Sequence, residues 1–138
     1  MDPLNVSAVE TSELISSSSG DAAWKGGFFA YGGNGSEQST VITFSIPPGK
    51  RLGRHTDTQE ETQFIRGGSG ELLRDSGAQP IKAGDVVVLA IGEFHDLLNT
   101  GDEDLQVIGF FAGAKVQQHW SDEVWEPGDL TVTGSPNS

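Results

Sequence analysis

The chain contains no cysteine. Disulfides and thiolate metal sites are therefore excluded, and the composition fits a reducing compartment, so a cytoplasmic location is expected. Basic residues are scarce: eight Lys and Arg stand against 20 Asp and Glu, for a formal charge of −12. A nucleic-acid or anionic-membrane partner demands a basic footprint, which argues against both. The acidic excess reads instead as a solvated surface that keeps the protein dispersed. Long apolar runs are missing as well. The longest, Val86 to Ile91 and Val107 to Ala112, fall far short of the roughly 18 residues of a membrane span. Residues 1 to 20 hold neither a basic residue nor an apolar core, so no secretory signal is expected there.

What the chain does have is a succession of short strand patterns broken by turn residues. Trp24 to Tyr31 is aromatic and ends in Gly32, Gly33, Asn34 and Gly35, and Thr40 to Ile46 is rich in β-branched residues and stops at Pro47 and Pro48. Glu61 to Arg66 runs into Gly67 and Gly68, and Glu71 to Arg74 pairs as a hairpin with Ala78 to Ile81 across Asp75, Ser76 and Gly77. Val86 to Ala90 is apolar throughout, which predicts a strand covered on both faces, and Leu105 to Ala112 predicts a last long strand. Strands at intervals of roughly ten residues without long amphipathic helices predict an all-β fold, a barrel or double-sheet sandwich. At 138 residues one domain is expected. It divides into a Ser-rich acidic arm over 1–20, a barrel over 21–114, and a C-terminal arm over 115–138 that carries Trp120 and Trp125 and one helical turn near Gln117 to Val124. The first arm has no periodicity of its own and is expected to cover a sheet edge of its own barrel or of a partner's.

The chemistry concentrates in two segments. The first, GKRLGRHTDTQEETQFIRGG, runs from Gly49 to Gly68 with His55, Asp57 and Glu61 inside it; the second, GDVVVLAIGEFHDLLN, runs from Gly84 to Asn99 and delivers His95. If these are neighbouring strands, alternation puts His55 and Asp57 on one face, and Glu61 and His95 can close around the same point. Two imidazoles and two carboxylates there would suit a divalent metal. Glu60 precedes Glu61, so one of the two should face inward, and the alternation from His55 selects Glu61.

The spacings of Gly49, His55, Asp57, Glu61 and Gly68, and of Gly84, Gly92, His95 and Asn99, resemble the two motifs of the cupin superfamily. They span about a quarter of the chain. The resemblance implies a single-domain cupin-type jelly-roll barrel and a homodimer. It further implies a metal held by His55, Glu61 and His95, with Fe(II), Mn, Ni, Co or Zn all compatible with such donors and Fe(II) favoured. The chain departs from the pattern twice: Asp57 stands where the family has a second histidine, and Ala90 where it usually has proline. Asp57 is then either a fourth ligand, which would neutralise the site, or a catalytic base beside a three-ligand site. Gln63, with the same parity, would orient substrate near the metal or bond to barrel backbone. Asn99 reads as a turn residue, and Asp96 as outward-facing. Arg51, Arg54 or Arg66 could meet a substrate carboxylate at the rim. His119 lies outside both motifs and reads as a surface residue. The expected function is a metal-dependent enzyme acting on a small organic molecule, with dioxygenase chemistry ahead of Lewis-acid isomerisation, decarboxylation, elimination or cyclisation. The competing reading is a non-catalytic binder of a small ligand.

Overall fold

The computed structural model describes residues 1–126 and 128–136. Pro127, from which the tail is expected to run extended, lies outside them, as do Asn137 and Ser138. The strands are β1 (Ser12–Ser16), β2 (Ala23–Ala30), β3 (Thr40–Ile46), β4 (His55–Asp57), β5 (Glu61–Gly67), β6 (Ser69–Arg74), β7 (Gly77–Lys82), β8 (Val86–Leu89), β9 (His95–Asn99), β10 (Leu105–Phe111), β11 (Gln117–Trp120), β12 (Trp125–Glu126) and β13 (Val132–Gly134). They form two antiparallel sheets, a seven-stranded one in the order β12-β1-β2-β3-β10-β5-β8 and a six-stranded one in the order β13-β11-β4-β9-β6-β7. The architecture is the all-β double-sheet jelly roll expected from the strand pattern.

Alternation along the strands sets what faces inward. In β5, Glu61, Gln63 and Ile65 are buried while Phe64 and Arg66 are exposed, as period two requires. The same rule turns Phe44 and Ile46 of β3 inward, where they join Leu72, Leu89, Leu97, Leu105 and Val107 in the core. The acidic arm lies on the edge of its own barrel: β1 pairs with β2 from Ser12↔Gly26 to Ile15↔Ala23, and β12 pairs in turn with β1. Gly27 lets the arm cross, because a Cβ there would stand 2.2 Å from the Glu10 carbonyl oxygen.

Three expectations fail here, each because neighbouring strands decide exposure. Gln117 to Trp120 is a strand, β11, instead of a helical turn, because it finds β4 on one side and β13 on the other. Val86 and Val88 are exposed, since β8 is the last strand of its sheet and only its inner face is covered. Asp96 is buried at 5% exposure. Its outward side is roofed by Arg51, whose guanidinium bonds to Asp96 at 3.1 Å, to Glu123 at 2.7 Å and to Asp21 at 3.0 Å. That one side chain ties the end of the N-terminal arm, strand β9 and the C-terminal tail together.

Candidate metal centre

Strands β4 and β9 are adjacent, with His55 opposite His95. The imidazole rings are 4.2 Å apart between centroids. His55 Nδ1 lies 2.8 Å from the Gly53 carbonyl oxygen, and His95 Nδ1 lies 2.9 Å from that of Glu93. A ring nitrogen facing a carbonyl carries the hydrogen, so in each neutral ring Nε2 is left as a bare lone pair. Both Nε2 atoms turn toward Asp57, at 3.6 Å from Oδ1 for His55 and 3.3 Å from Oδ2 for His95. His55, Asp57 and His95 each offer a ligand atom, all within 4.8 Å of one another. Glu61 enters from the opposite sheet, its Oε1 3.7 Å from His95 Nε2.

All four side chains are at most 3% exposed, yet both Asp57 oxygens and His95 Nε2 lack a hydrogen-bond partner. Buried acceptors left so are rare and strongly unfavourable. The electrostatics point the same way. Burial, then the neighbouring His95, holds the His55 imidazole down to about 4. Burial also pushes the Glu61 carboxyl up to about 7. At His95 burial opposes the charge, but the facing Asp57 and then Glu61 carboxylates outweigh it, and the ring is raised to about 10. The carboxylates thus favour positive charge at His95, and the converging nitrogen and oxygen atoms have the composition of a donor set for a hard or borderline divalent ion. The residues fit the cation their spacing led one to expect.

Two residues shape Glu61. Gln63, fully buried, donates from Nε2 to Glu61 Oε1 at 3.0 Å, so its partner in the cluster is that carboxylate. Gly109 of β10 lies beneath the same carboxylate, where a Cβ would stand 2.3 Å from Oε2. Sequence reading missed Gly109, although a glycine interrupting the apolar run Leu105 to Phe111 signals a close approach of this kind. It also left open what Trp120 does: the indole stacks on His55 at 4.3 Å between ring centroids and joins Trp24 and Trp125 in an aromatic cluster. Asn99 has the expected turn role, donating to Ile46 and Glu103 carbonyls and accepting from the Gly101 N–H. His119 is exposed, as is Glu60.

The cluster borders a cavity of about 710 Å³ between the sheets, whose wall His55 and Glu61 reach. None of the three arginines considered for its rim lines it. Arg51 is held by the three carboxylates already described, Arg54 bonds to Asp75 at 3.2 Å and covers the Phe94 ring, and Arg66 is exposed.

A family model described as Cupin domain matches residues 42–111. An oxalate-binding protein of Thermotoga maritima is 42% identical over 65 residues, which are 46% of this chain and 53% of that protein. The chain therefore spans about half the length of this curated relative. Among solved structures, one described as a predicted oxalate decarboxylase from Thermotoga maritima is similar with a TM-score of 0.71 at 24% identity, over 81% of this chain and 99% of that one. The polyketide cyclase RemF from Streptomyces resistomycificus is similar with a TM-score of 0.68 at 15% identity, over 80% and 78%. At these identities the structural likeness carries the fold and no more.

Proposed function

This chain belongs to the cupin domain family, and from that premise we propose that it is an enzyme holding one divalent metal on His55, Asp57, Glu61 and His95 and acting on a small organic molecule in the barrel cavity. The observation that carries the reading is a buried set of four donors, several without any partner, opening on a cavity large enough for a substrate. A bound divalent ion would polarise a substrate oxygen or support dioxygen chemistry. The chain's own part is to hold both imidazoles with Nε2 inward through the Gly53 and Glu93 carbonyls, to aim Glu61 through Gln63, and to keep bulk water from the buried carboxylates. Asp57 brings the negative charge that, with Glu61, balances the ion.

Within this reading, oxidative chemistry at Fe(II) stands first, because two histidines and a carboxylate are the donor set of the non-haem iron oxygenases. Lewis-acid isomerisation, decarboxylation or cyclisation at Mn, Ni, Co or Zn is the alternative. A second reading, binding without turnover, is favoured by the oxalate-binding relative. The cytoplasmic location and the homodimer belong to the proposal too. The arm and aromatic tail are used within the chain, so what supports a homodimer is the exposed apolar row Phe64, Val86, Val88 and Phe110 on the seven-stranded sheet.

Elemental analysis of protein purified without added metal, followed by dioxygen uptake after anaerobic loading with Fe(II), tests the reading. Stoichiometric metal that is lost in His95→Ala is expected. Substrate-stimulated uptake supports the oxidative form and its absence the Lewis-acid form, while failure to retain any divalent ion overturns the site.

A further inference from the structure

We infer that the cavity takes an uncharged aromatic molecule, of the size of two or three fused rings, and not a small dianion such as oxalate. The inference rests on the proposed metal site for one end of the ligand and on the cavity wall for the rest. The wall is aromatic: Trp24, Phe28, Tyr31, Phe44, Phe111 and Trp120 all line it. Several of these rings already meet one another edge-on or tilted, Trp24 with Phe44 at 6.2 Å and with Trp120 at 5.9 Å, and Phe28 with Tyr31 at 6.1 Å. Such rings accept a further ring in offset or edge-to-face contact. Trp24 lies along its own strand over Gly26, where a Cβ would stand 2.5 Å from the indole Cζ3. Missing side-chain bulk at that position thus leaves the indole as the wall. Trp120 carries the aromatic surface on to His55, which joins the wall to the metal cluster.

The charges say the complementary thing. Among the described residues, no lysine or arginine lines the cavity, and the acidic side chains that do are Glu10 and Glu61. The cations are elsewhere: Arg51, Arg54 and Arg74 are in ion pairs, the Lys50 ammonium bonds to the Gly20 carbonyl, and Lys25, Arg66, Lys82 and Lys115 are exposed outside. A divalent ion at the cluster would be offset by Asp57 and Glu61, leaving no excess positive charge for an anion, within a chain of charge −12 that repels one at longer range. A dianion of oxalate's size would also leave most of a cavity of about 710 Å³ to water, whereas pockets of this volume suit molecules of drug size. A neutral polycyclic ligand with a phenol or carbonyl oxygen directed at the cluster meets every one of these features.

The test uses 2-naphthol as the neutral probe, with 3-hydroxy-2-naphthoate and oxalate as its anionic counterparts, followed by tryptophan quenching and by calorimetry on the full chain, both Zn(II)-loaded and metal-stripped. The metal-stripped arm separates the two ideas: 2-naphthol binding there reads the wall alone, and a chain that retains no zinc sinks the metal end of the ligand's seat while that arm still tests the wall. The expected result is saturable 2-naphthol binding in both forms, at least about 100-fold tighter than oxalate, and weakened about tenfold or more in Trp24→Ala. Val132→Lys supplies the missing cation at a 40%-exposed position of the cavity wall. In that variant 3-hydroxy-2-naphthoate is expected to gain on 2-naphthol by about tenfold. Oxalate binding as tightly as 2-naphthol, or 2-naphthol affinity unchanged in a folded Trp24→Ala or shown by neither form of the protein, overturns the inference.

Discussion

Two buried acidic clusters sit side by side in this barrel and differ in one respect. Asp96 and Glu123 gather around Arg51, and Asp57 and Glu61 gather around the two histidines. His95 and Asp96 are consecutive residues of β9, pointing to opposite faces, and Gly53 touches both clusters: its N–H donates to Asp96 at 2.8 Å and its carbonyl orients His55. Gly53 has φ of +110°, and a Cβ there would stand 2.9 Å from the Glu123 side chain, so glycine is required for both. The first cluster contains its own cation, a guanidinium whose donors reach three carboxylates. The second has no lysine or arginine, only its two imidazoles, and leaves both Asp57 oxygens and His95 Nε2 unpartnered, where the first leaves Glu123 Oε2 alone. A fold that pairs most of its buried charge in one place and leaves more of it open in the next supports an external cation at the second.

The comparison breaks most visibly at Arg51. Replacing it in Arg51→Met strands Asp96 and Glu123 without a counter-ion, and a loss of about 3–5 kcal/mol in urea unfolding is expected. The corresponding change in the other cluster, Asp57→Asn, should act in the opposite direction on the metal-free protein, leaving it as stable or more so by roughly 1 kcal/mol. Competition with a chromophoric chelator should meanwhile show metal affinity falling by more than the roughly 10–100-fold typical of an outer-sphere partner. A fall in metal-free stability matching that of Arg51→Met would erase the distinction between the clusters. A finer break comes from Gly109→Ala, which pushes on the Glu61 carboxylate; metal affinity is expected to fall about tenfold with the metal-free stability within about 1 kcal/mol of the parent, read by the same two assays.

The smallest effect concerns pH. Hydrogen bonds from Arg51 and then Ser19 hold the Asp21 carboxyl down to about 2, below its usual 3.8. A lowered carboxylate value means that its contribution is fully present above about 4 and is lost as the pH falls toward 2. Asp21 is 60% exposed at its side chain, so solvent screening keeps that contribution under about 1 kcal/mol. Unfolding of Asp21→Asn should accordingly differ slightly from the parent at pH 6 and converge with it near pH 2. Asp96, by contrast, is held above the usual carboxylate range by burial in spite of Arg51, so within one cluster the exposed and buried partners titrate in opposite senses.

Much of the site was legible before folding. His55, Asp57, Glu61 and Gln63 are all buried and Glu60 is exposed, because side-chain direction in a strand alternates locally and needs no knowledge of what lies across the sheet. The pairing of His55 with His95 followed from two motifs being adjacent strands. Asp96, Arg51 and the exposed Val86 and Val88 were read wrongly or left open for one shared reason. Parity tells which face of a strand a residue takes, but not whether that face is covered.

The sequence by itself determined the strand succession, its turns and the inward set of donors, since period-two alternation and turn residues act over a few positions of chain. Only the tertiary structure decided that the C-terminal tail would return as β11 to seat Trp120 on His55, that Glu123 would reach Arg51, and that the described cavity wall would be aromatic and without lysine or arginine. Those outcomes depend on contacts between segments up to a hundred residues apart, whose closeness is set by packing of the whole barrel and is written in no local pattern.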